Sequence, residues 1–269
     1  MTQHVFDQTM SDRIAVVTGG TAGIGYEMVK TLIGHSCPVV ANGRRPDRLK
    51  DLILEFNEEN VRTVRGDAAD EKVVTQMFDT ARDVFGDETS EADIVIVNAG
   101  RGLKGSVLDS DSAQWEEMIR TNLLGAALTI RHAARRMMAN IERLHSRGKS
   151  WQTHAHDIVV IGSTVGRNVS PFSSMYGSTK FGVHGLVEGA RRELGPKGIR
   201  VTLIEPGFVE SEFQGVAGYD PAWFKGVVER IGPVLQPEDV ARAIMAVITQ
   251  PPWVHFNDVA LRPTRQDYP

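Results

Sequence analysis

Short apolar runs alternate with stretches of helical period along the chain. Residues 13–18 (RIAVVT), 38–41, 61–65, 93–98 (DIVIVN), 157–162 (DIVVIG), 200–205 and 254–261 read as strands. Several are apolar without a break, the pattern of a strand covered on both faces. Helical patterns lie at 23–34, 47–60, 71–85, 112–140, 174–194 and 237–249. In the second of these Leu49, Leu52, Ile53 and Phe56 fall at i, i+3, i+4 and i+7. Strands alternating with helices predict parallel pairing through right-handed crossovers. The expected architecture is one doubly wound α/β domain over residues 13–269, with a seven-stranded, mainly parallel sheet covered by helices on both faces. Residues 1–12 read as a polar N-terminal arm. Residues 143–156 (RLHSRGKSWQTHAH) form a long polar link, and 208–235 an aromatic-rich excursion. A long segment at the C-terminal edge of such a sheet has the place of a substrate lid.

Thr18-Gly-Gly-Thr-Ala-Gly-Ile-Gly25 follows the first strand and opens the first helix. Its glycines allow a tight turn and let the backbone approach a pyrophosphate, while the helix N-terminus supplies unpaired N–H groups. This predicts a dinucleotide-binding, Rossmann-type sheet with Gly19, Thr21, Ala22, Gly23, Ile24 and Gly25 at the cofactor. The second strand runs into Ala-Asn-Gly-Arg-Arg45, and the first acid is Asp47. An acid at this strand end would accept from the ribose hydroxyls of NAD, whereas an arginine grips the 2′-phosphate of NADP. Arg44 and Arg45 therefore predict NADP(H).

Tyr176 and Lys180 stand four apart on a helical pattern, so they share a face. A free phenol has a pKa of about 10, and a nearby ammonium lowers it, which suits proton transfer at a carbonyl oxygen. Alone the spacing is common. It gains meaning from its company: the Thr-Gly-x-x-x-Gly-x-Gly turn, Asn98-Ala99-Gly100 ending the fourth strand, Asn122 in the next helix, Ser163 ending the fifth strand and Pro206-Gly207 ending the sixth. In this order and spacing, from about residue 13 to the last strand, the chain resembles the short-chain dehydrogenase/reductase family. The resemblance implies an oxidoreductase that interconverts a carbonyl and a secondary alcohol by hydride transfer, with Tyr176 as general acid/base. It implies that Lys180 tunes Tyr176 and holds the nicotinamide ribose, that Ser163 orients the substrate oxygen, and that Asn122 holds a water linking Lys180 to solvent. Asp67 and Ala68 would meet the adenine. Pro206, Gly207 and Val209 would pass under the nicotinamide, with Ser211 where many relatives have threonine. The Gly-Arg-Arg strand end and the tail 258–266 resemble a subgroup of NADP-dependent 3-hydroxy acid and serine dehydrogenases. A homodimer or homotetramer packed through helices 112–140 and 174–194 is implied as well. Two alternatives stay open. Against a sugar-nucleotide epimerase or dehydratase stand the short chain and the glycine spacing. Against a silent NADP-binding sensor stands the retention of Asn122, Ser163, Tyr176 and Lys180.

Composition adds exclusions. The net charge is −4 with no strongly basic region, so nucleic acid is not expected as a partner. The lone cysteine, Cys37, permits no intramolecular disulfide and reads as a buried apolar residue. No apolar run approaches the ~20 residues of a membrane span, and the polar start lacks a signal-peptide pattern, so a soluble, cytoplasmic protein is expected. The eight histidines show no metal spacing on a helix, and His154 and His156 read as solvated. Met137 and Met138 read as the end of an amphipathic helix. A small-molecule pocket is expected from 164–172, the segment after Gly100, and the lid aromatics Phe208, Phe213, Tyr219, Trp223 and Phe224. Arg101 and Arg167 lie where either could meet an acidic substrate, but read as solvent-facing.

Overall fold

The computed structural model describes residues 8–86, 90–168 and 170–268. Seven strands form one all-parallel sheet: β1 (Ala15–Val17), β2 (Val39–Gly43), β3 (Val61–Arg65), β4 (Ile94–Val97), β5 (Asp157–Ile161), β6 (Arg200–Pro206) and β7 (Asp258–Leu261). Their order is β3-β2-β1-β4-β5-β6-β7. The order reverses between β1 and β4, and a crevice opens there beyond the carboxyl ends of the strands.

Strand pleating splits the apolar runs between two cores. Val16, Val40, Val95, Ile158 and Val201 face α3 (Glu71–Thr80), α5 (Gly125–Ser146) and α6 (Ser174–Leu194). Ala15, Val17, Val39, Ile96 and Val159 face α1 (Gly23–Gly34), α2 (Pro46–Phe56) and α9 (Pro237–Ile248). Each fully buried aliphatic side chain contributes roughly 1.5–3 kcal/mol. No helix among the described residues is long and apolar enough to cross a membrane.

Charge fixes the opposite end of the sheet. Arg13, Asp93, Asp157 and Arg200 stand at or just before the starts of β1, β4, β5 and β6, each at most 3% exposed. Arg13 Nε donates to Asp93 at 3.0 Å, and its Nη2 donates to Asp157 at 2.7 Å. Arg200 grips both Asp157 oxygens at 2.7 and 2.8 Å. The described part of the N-terminal arm joins here, with Gln8 Nε2 donating to Asp93 and Gln8 Oε1 accepting from Ala155 N.

Several boundaries differ from expectation, each for a local reason. The helix expected at 47–60 stops at Phe56 because Asn57 adopts a φ of 59°. The helix expected at 71–85 passes from α3 into a π-turn, Ala81–Phe85. The helix expected at 112–140 is broken into a 3₁₀ turn, α4 (Trp115–Ile119), a π-turn at Arg120–Leu124, and α5, which runs on to Ser146. The polar link thus loses its first turn to α5, and Met137 is buried mid-helix rather than at a helix end. His156 is fully buried rather than solvated, since its ring packs against His154 at 5.0 Å and its Nε2 meets Asn140 Nδ2 at 3.3 Å. The strand expected from 254 begins at Asp258, because Arg200 draws the Gln250, Pro251 and Val254 carbonyls around its guanidinium. Cys37 is buried, and burial pushes its thiol far up, away from nucleophilic use.

Candidate active site

A cavity of about 420 Å³ occupies the crevice at the carboxyl ends of the strands. Its floor on one side is the turn from β1 into α1. A methyl group on Gly25 would come within 2.2 Å of the Gly19 carbonyl oxygen, and Gly19 itself has a φ of +65°. Glycine is therefore required for the turn to fold back on itself. Ala22, at the N-cap of α1, has no side-chain acceptor to cover the first-turn N–H groups. Gly19, Thr21, Ala22, Gly23 and Ile24 line the cavity, while Gly25 lies behind them.

Asn98 holds this turn from below. Its Nδ2 donates to the Thr18 and Gly19 carbonyls, both at 3.1 Å. Thr18 Oγ1 accepts from the Asn98 and Ala99 N–H groups at 3.0 Å. The Asn98-Ala99-Gly100 segment thus braces the glycine turn, and all three residues line the cavity.

Arg44 and Arg45 stand at the cavity rim after β2, each taken by a distant carboxylate. Arg44 Nη1 donates to Glu117 at 2.9 Å and Arg45 Nη1 to Glu212 at 2.7 Å. Arg48 joins Glu212 at 2.8 Å. These half-exposed pairs are each worth about 0–1 kcal/mol, weak enough to be displaced. Asp67 and Ala68 line the same end of the cavity. Asp67 accepts from Ala69 N, and the helix that follows is capped by Asp70.

Ser163, Tyr176 and Lys180 meet at the other end. Ser163 follows β5, and Tyr176 and Lys180 lie in the first two turns of α6. Packing sets the approach: a methyl on Gly162 or Gly166 would run into the His184 ring at 2.8 or 2.3 Å. Burial pushes the Tyr176 phenol well up, and a hydrogen bond with Ser163 draws it part of the way back. Lys180 is driven down to about 8 by burial. Its Nζ donates to the Ile161 carbonyl at 2.8 Å and lies 5.9 Å from the Tyr176 ring centroid. In the chain alone the ammonium is thus turned to the end of β5, and burial governs the phenol.

Asn122 sits in the π-turn before α5 and does not line the cavity. Its Oδ1 accepts from Arg101 N at 2.8 Å, and its Nδ2 donates to Arg101 O at 2.9 Å and Thr179 Oγ1 at 3.0 Å. It clamps the backbone after Gly100 to α6. Pro206, Gly207, Val209 and Ser211 line the cavity wall after β6. Gln266, from the C-terminal tail, accepts from Phe208 N at 3.0 Å and presses on Gly207.

The excursion after β6 carries α7 (Phe213–Ala217) and α8 (Pro221–Ile231). Its ends are tied by Leu235 N donating to Phe208 O and Glu210 N donating to Leu235 O. Val227, Ile231 and Val234 give it a small core of its own. All five expected aromatics line the cavity. Of the expected 164–172 wall only Thr164 and Val165 line it among the described residues; Phe172 is exposed to solvent, and Val169 lies outside the described residues. Arg101 is not solvent-facing as expected, its side chain being 11% exposed, whereas Arg167 is exposed as expected. Arg101 is bound by Glu117 and Gln114, and Arg167 by Glu205 and Asp258.

Sequence reading missed Glu117, Glu212, Gln214 and Gln266. The Arg44–Glu117 and Arg45–Glu212 pairs join residues 73 and 167 apart, which no local pattern signals. Thr18 opens the glycine turn and Thr179 stands between Tyr176 and Lys180, both within reach of the sequence pattern.

The short chain dehydrogenase family model matches residues 13–220. An uncharacterised oxidoreductase of Staphylococcus aureus (strain N315) is 31% identical over 254 residues, 94% of this chain and 98% of that protein. Among solved structures, a serine dehydrogenase complexed with NADP+ matches with TM-score 0.79 and 29% identity, covering 95% of this chain and 96% of that one. An alcohol dehydrogenase from the archaeon Thermococcus sibiricus, complexed with 5-hydroxy-NADP, matches with TM-score 0.75 and 25% identity, covering 96% and 99%. The cleft and these matches together identify the chain as an oxidoreductase belonging to the short-chain dehydrogenase family.

Proposed function

We propose that the protein interconverts a ketone or other carbonyl compound and a secondary alcohol with NADP(H), using Tyr176 as general acid in reduction and general base in oxidation. The convergence of Ser163, Tyr176 and Lys180 in one cavity with the glycine turn carries this reading. The cleft fits the cofactor: a glycine floor that a methyl would fill, a helix start with no side-chain cap, and displaceable arginines after β2. Gly19, Thr21, Ala22, Gly23 and Ile24 would hold the pyrophosphate, Arg44 and Arg45 the 2′-phosphate, and Asp67 and Ala68 the adenine. Asn98, Ala99, Gly100, Pro206, Gly207, Val209 and Ser211 would frame the nicotinamide half, with Gly25 and the Asn98 amide supporting the turn. A bound NADPH supplies the hydride.

The chain's own groups handle the proton. The Tyr176 phenol donates it to the carbonyl oxygen, and Ser163 gives that oxygen a second hydrogen bond that orients it. Burial keeps the phenol protonated at neutral pH, which suits reduction. For oxidation, Lys180 supplies the positive charge that favours the phenolate, and it also holds the nicotinamide ribose. Asn122 acts as a positioning residue, fixing the backbone between Gly100 and α6. The names of the two structural neighbours, serine dehydrogenase and alcohol dehydrogenase, support a hydroxyl-bearing carbon as the reacting group.

A panel of ketones and alcohols, followed at the cofactor absorbance in both directions, tests this. Turnover with NADPH at least about tenfold more efficient than with NADH is expected, the worth of one charge-assisted contact to phosphate. Equal use of both cofactors contradicts the assignment to NADP(H). No turnover of any member contradicts the reaction.

A further inference from the structure

We infer that the substrate is an uncharged carbonyl compound carrying a flat apolar group, and that Tyr219 and Trp223 select it; this rests on the carbonyl–alcohol reading above. The substrate half of the cavity is walled by Val165, Phe208, Phe213, Tyr219, Trp223 and Phe224. These rings are ordered against one another. Tyr219 stacks on Trp223 at 5.1 Å and 18°, and Phe213 meets the Tyr176 ring at 5.6 Å. Phe208 packs edge-on against Trp223 and Phe224 at 6.2 and 6.4 Å. The stacked pair forms a flat wall on the lid, in the same cavity as Tyr176.

The cations around this half are already spent. Arg101 lines the cavity, but its two terminal nitrogens are held by Glu117 and Gln114, leaving only the inner Nε unpaired. Arg167 is held by Glu205, which is fully buried, and by Asp258. Releasing Arg167 to a substrate carboxylate would strand the fully buried Glu205. The amides are committed too. Gln214 donates to Val209 O at 2.7 Å and accepts from Ser211 N, and Gln266 accepts from Phe208 N. A substrate carboxylate entering here would lose its water against Lys180, which the proposed reaction engages, and Arg101, which Glu117 already pairs, so it would gain little counter-charge. An aromatic or aliphatic group would exchange water for ring faces. The hydroxyls of Ser163 and Tyr176 stand where a carbonyl oxygen belongs.

The test compares matched ketones with NADPH: methyl 4-acetylbenzoate, 4-acetylbenzoate and propanone, with L-serine and 3-hydroxybutyrate as charged substrates in the oxidative direction. The neutral ester is expected to show kcat/KM at least about a hundredfold above the carboxylate of the same skeleton. Equal efficiency, or preference for the carboxylate, overturns the inference. Binding of the ester and the carboxylate to the Tyr176→Phe variant with NADP+, measured by calorimetry, gives a readout free of chemistry. If the ester binds better there while the unmutated enzyme turns over no ketone or alcohol, the hydride-transfer reading falls and the pocket preference stands. If neither compound binds, the inference is overturned. Trp223→Ala, at a half-exposed position that tolerates change, is expected to raise KM for the ester roughly five- to twentyfold with little effect on kcat, and to leave propanone unchanged. An unchanged KM for the ester contradicts the role of the stacked pair.

Discussion

Tyr176 takes its meaning from its neighbours more than from its spacing to Lys180. The i, i+4 relation places both on one face, yet burial governs the phenol and Lys180 Nζ is bound to the Ile161 carbonyl. Arg44 and Arg45 illustrate the same limit. Their presence after β2 was legible in the chain, but their partners Glu117 and Glu212 were not, because those contacts depend on where the lid and α4 fall. Arg44→Ala should weaken NADPH roughly ten- to a hundredfold and leave NADH nearly unchanged, as read by fluorescence titration. A parallel loss for both cofactors would place Arg44 elsewhere. His156 was misread because polar sequence around it suggested solvent, while Asn140, His154, Asp93, Arg13 and Asp157 enclose it. Burial drives its pKa down from 6.5 to about 3. Below pH 6.5 the unfolded chain takes up a proton that the folded chain refuses, so stability falls as pH drops from 6.5 towards 3. The loss is on the order of 4 kcal/mol at the acid end of that window. Thermal melts should show a shallower pH slope for His156→Gln over this range, and parallel curves would refute the assignment.

At the scale of elements, the strands and the helices flanking them were read almost residue for residue where the hydrophobic period was clean. β3, α1 and α6 coincide with their expected spans. What escaped was non-local. The π-turn at Arg120–Leu124 places Asn122 beside Arg101 and Thr179, and no propensity marks it. The late start of β7 follows from carbonyls wrapped around Arg200. The glycine turn is the opposite case, since its sequence states its geometry. Gly25→Ala should push the turn away from Gly19, costing about 1–3 kcal/mol of stability and at least about tenfold in NADPH affinity. A variant that bound NADPH normally, with an unchanged melting temperature, would show that the turn has room the structure denies it.

Over the whole molecule, one sheet separates two chemistries. Its carboxyl end opens on the candidate active-site cleft, and its amino end is closed by the Arg13–Asp93–Asp157–Arg200 network. The network was hidden in plain sight: each of the four charged residues heads an expected strand, but only the assembled sheet brings them together. Leu124 and Phe181 stay 43% exposed beside and on the long helices α5 and α6, a surface suited to self-association. We propose a homodimer or homotetramer through this face. Light scattering should report it, with Leu124→Asp and Phe181→Asp together giving monomer, whereas a monomeric unmutated protein would contradict it. In the proposed reaction Tyr176 moves the proton of an NADP(H)-linked carbonyl reduction. Its most direct test is single-turnover NADPH oxidation with Tyr176→Phe on a ketone the unmutated enzyme reduces, alongside NADPH affinity. A rate at least about a thousandfold lower, with unchanged affinity for NADPH, is expected. A near-normal rate on the same ketone would contradict it.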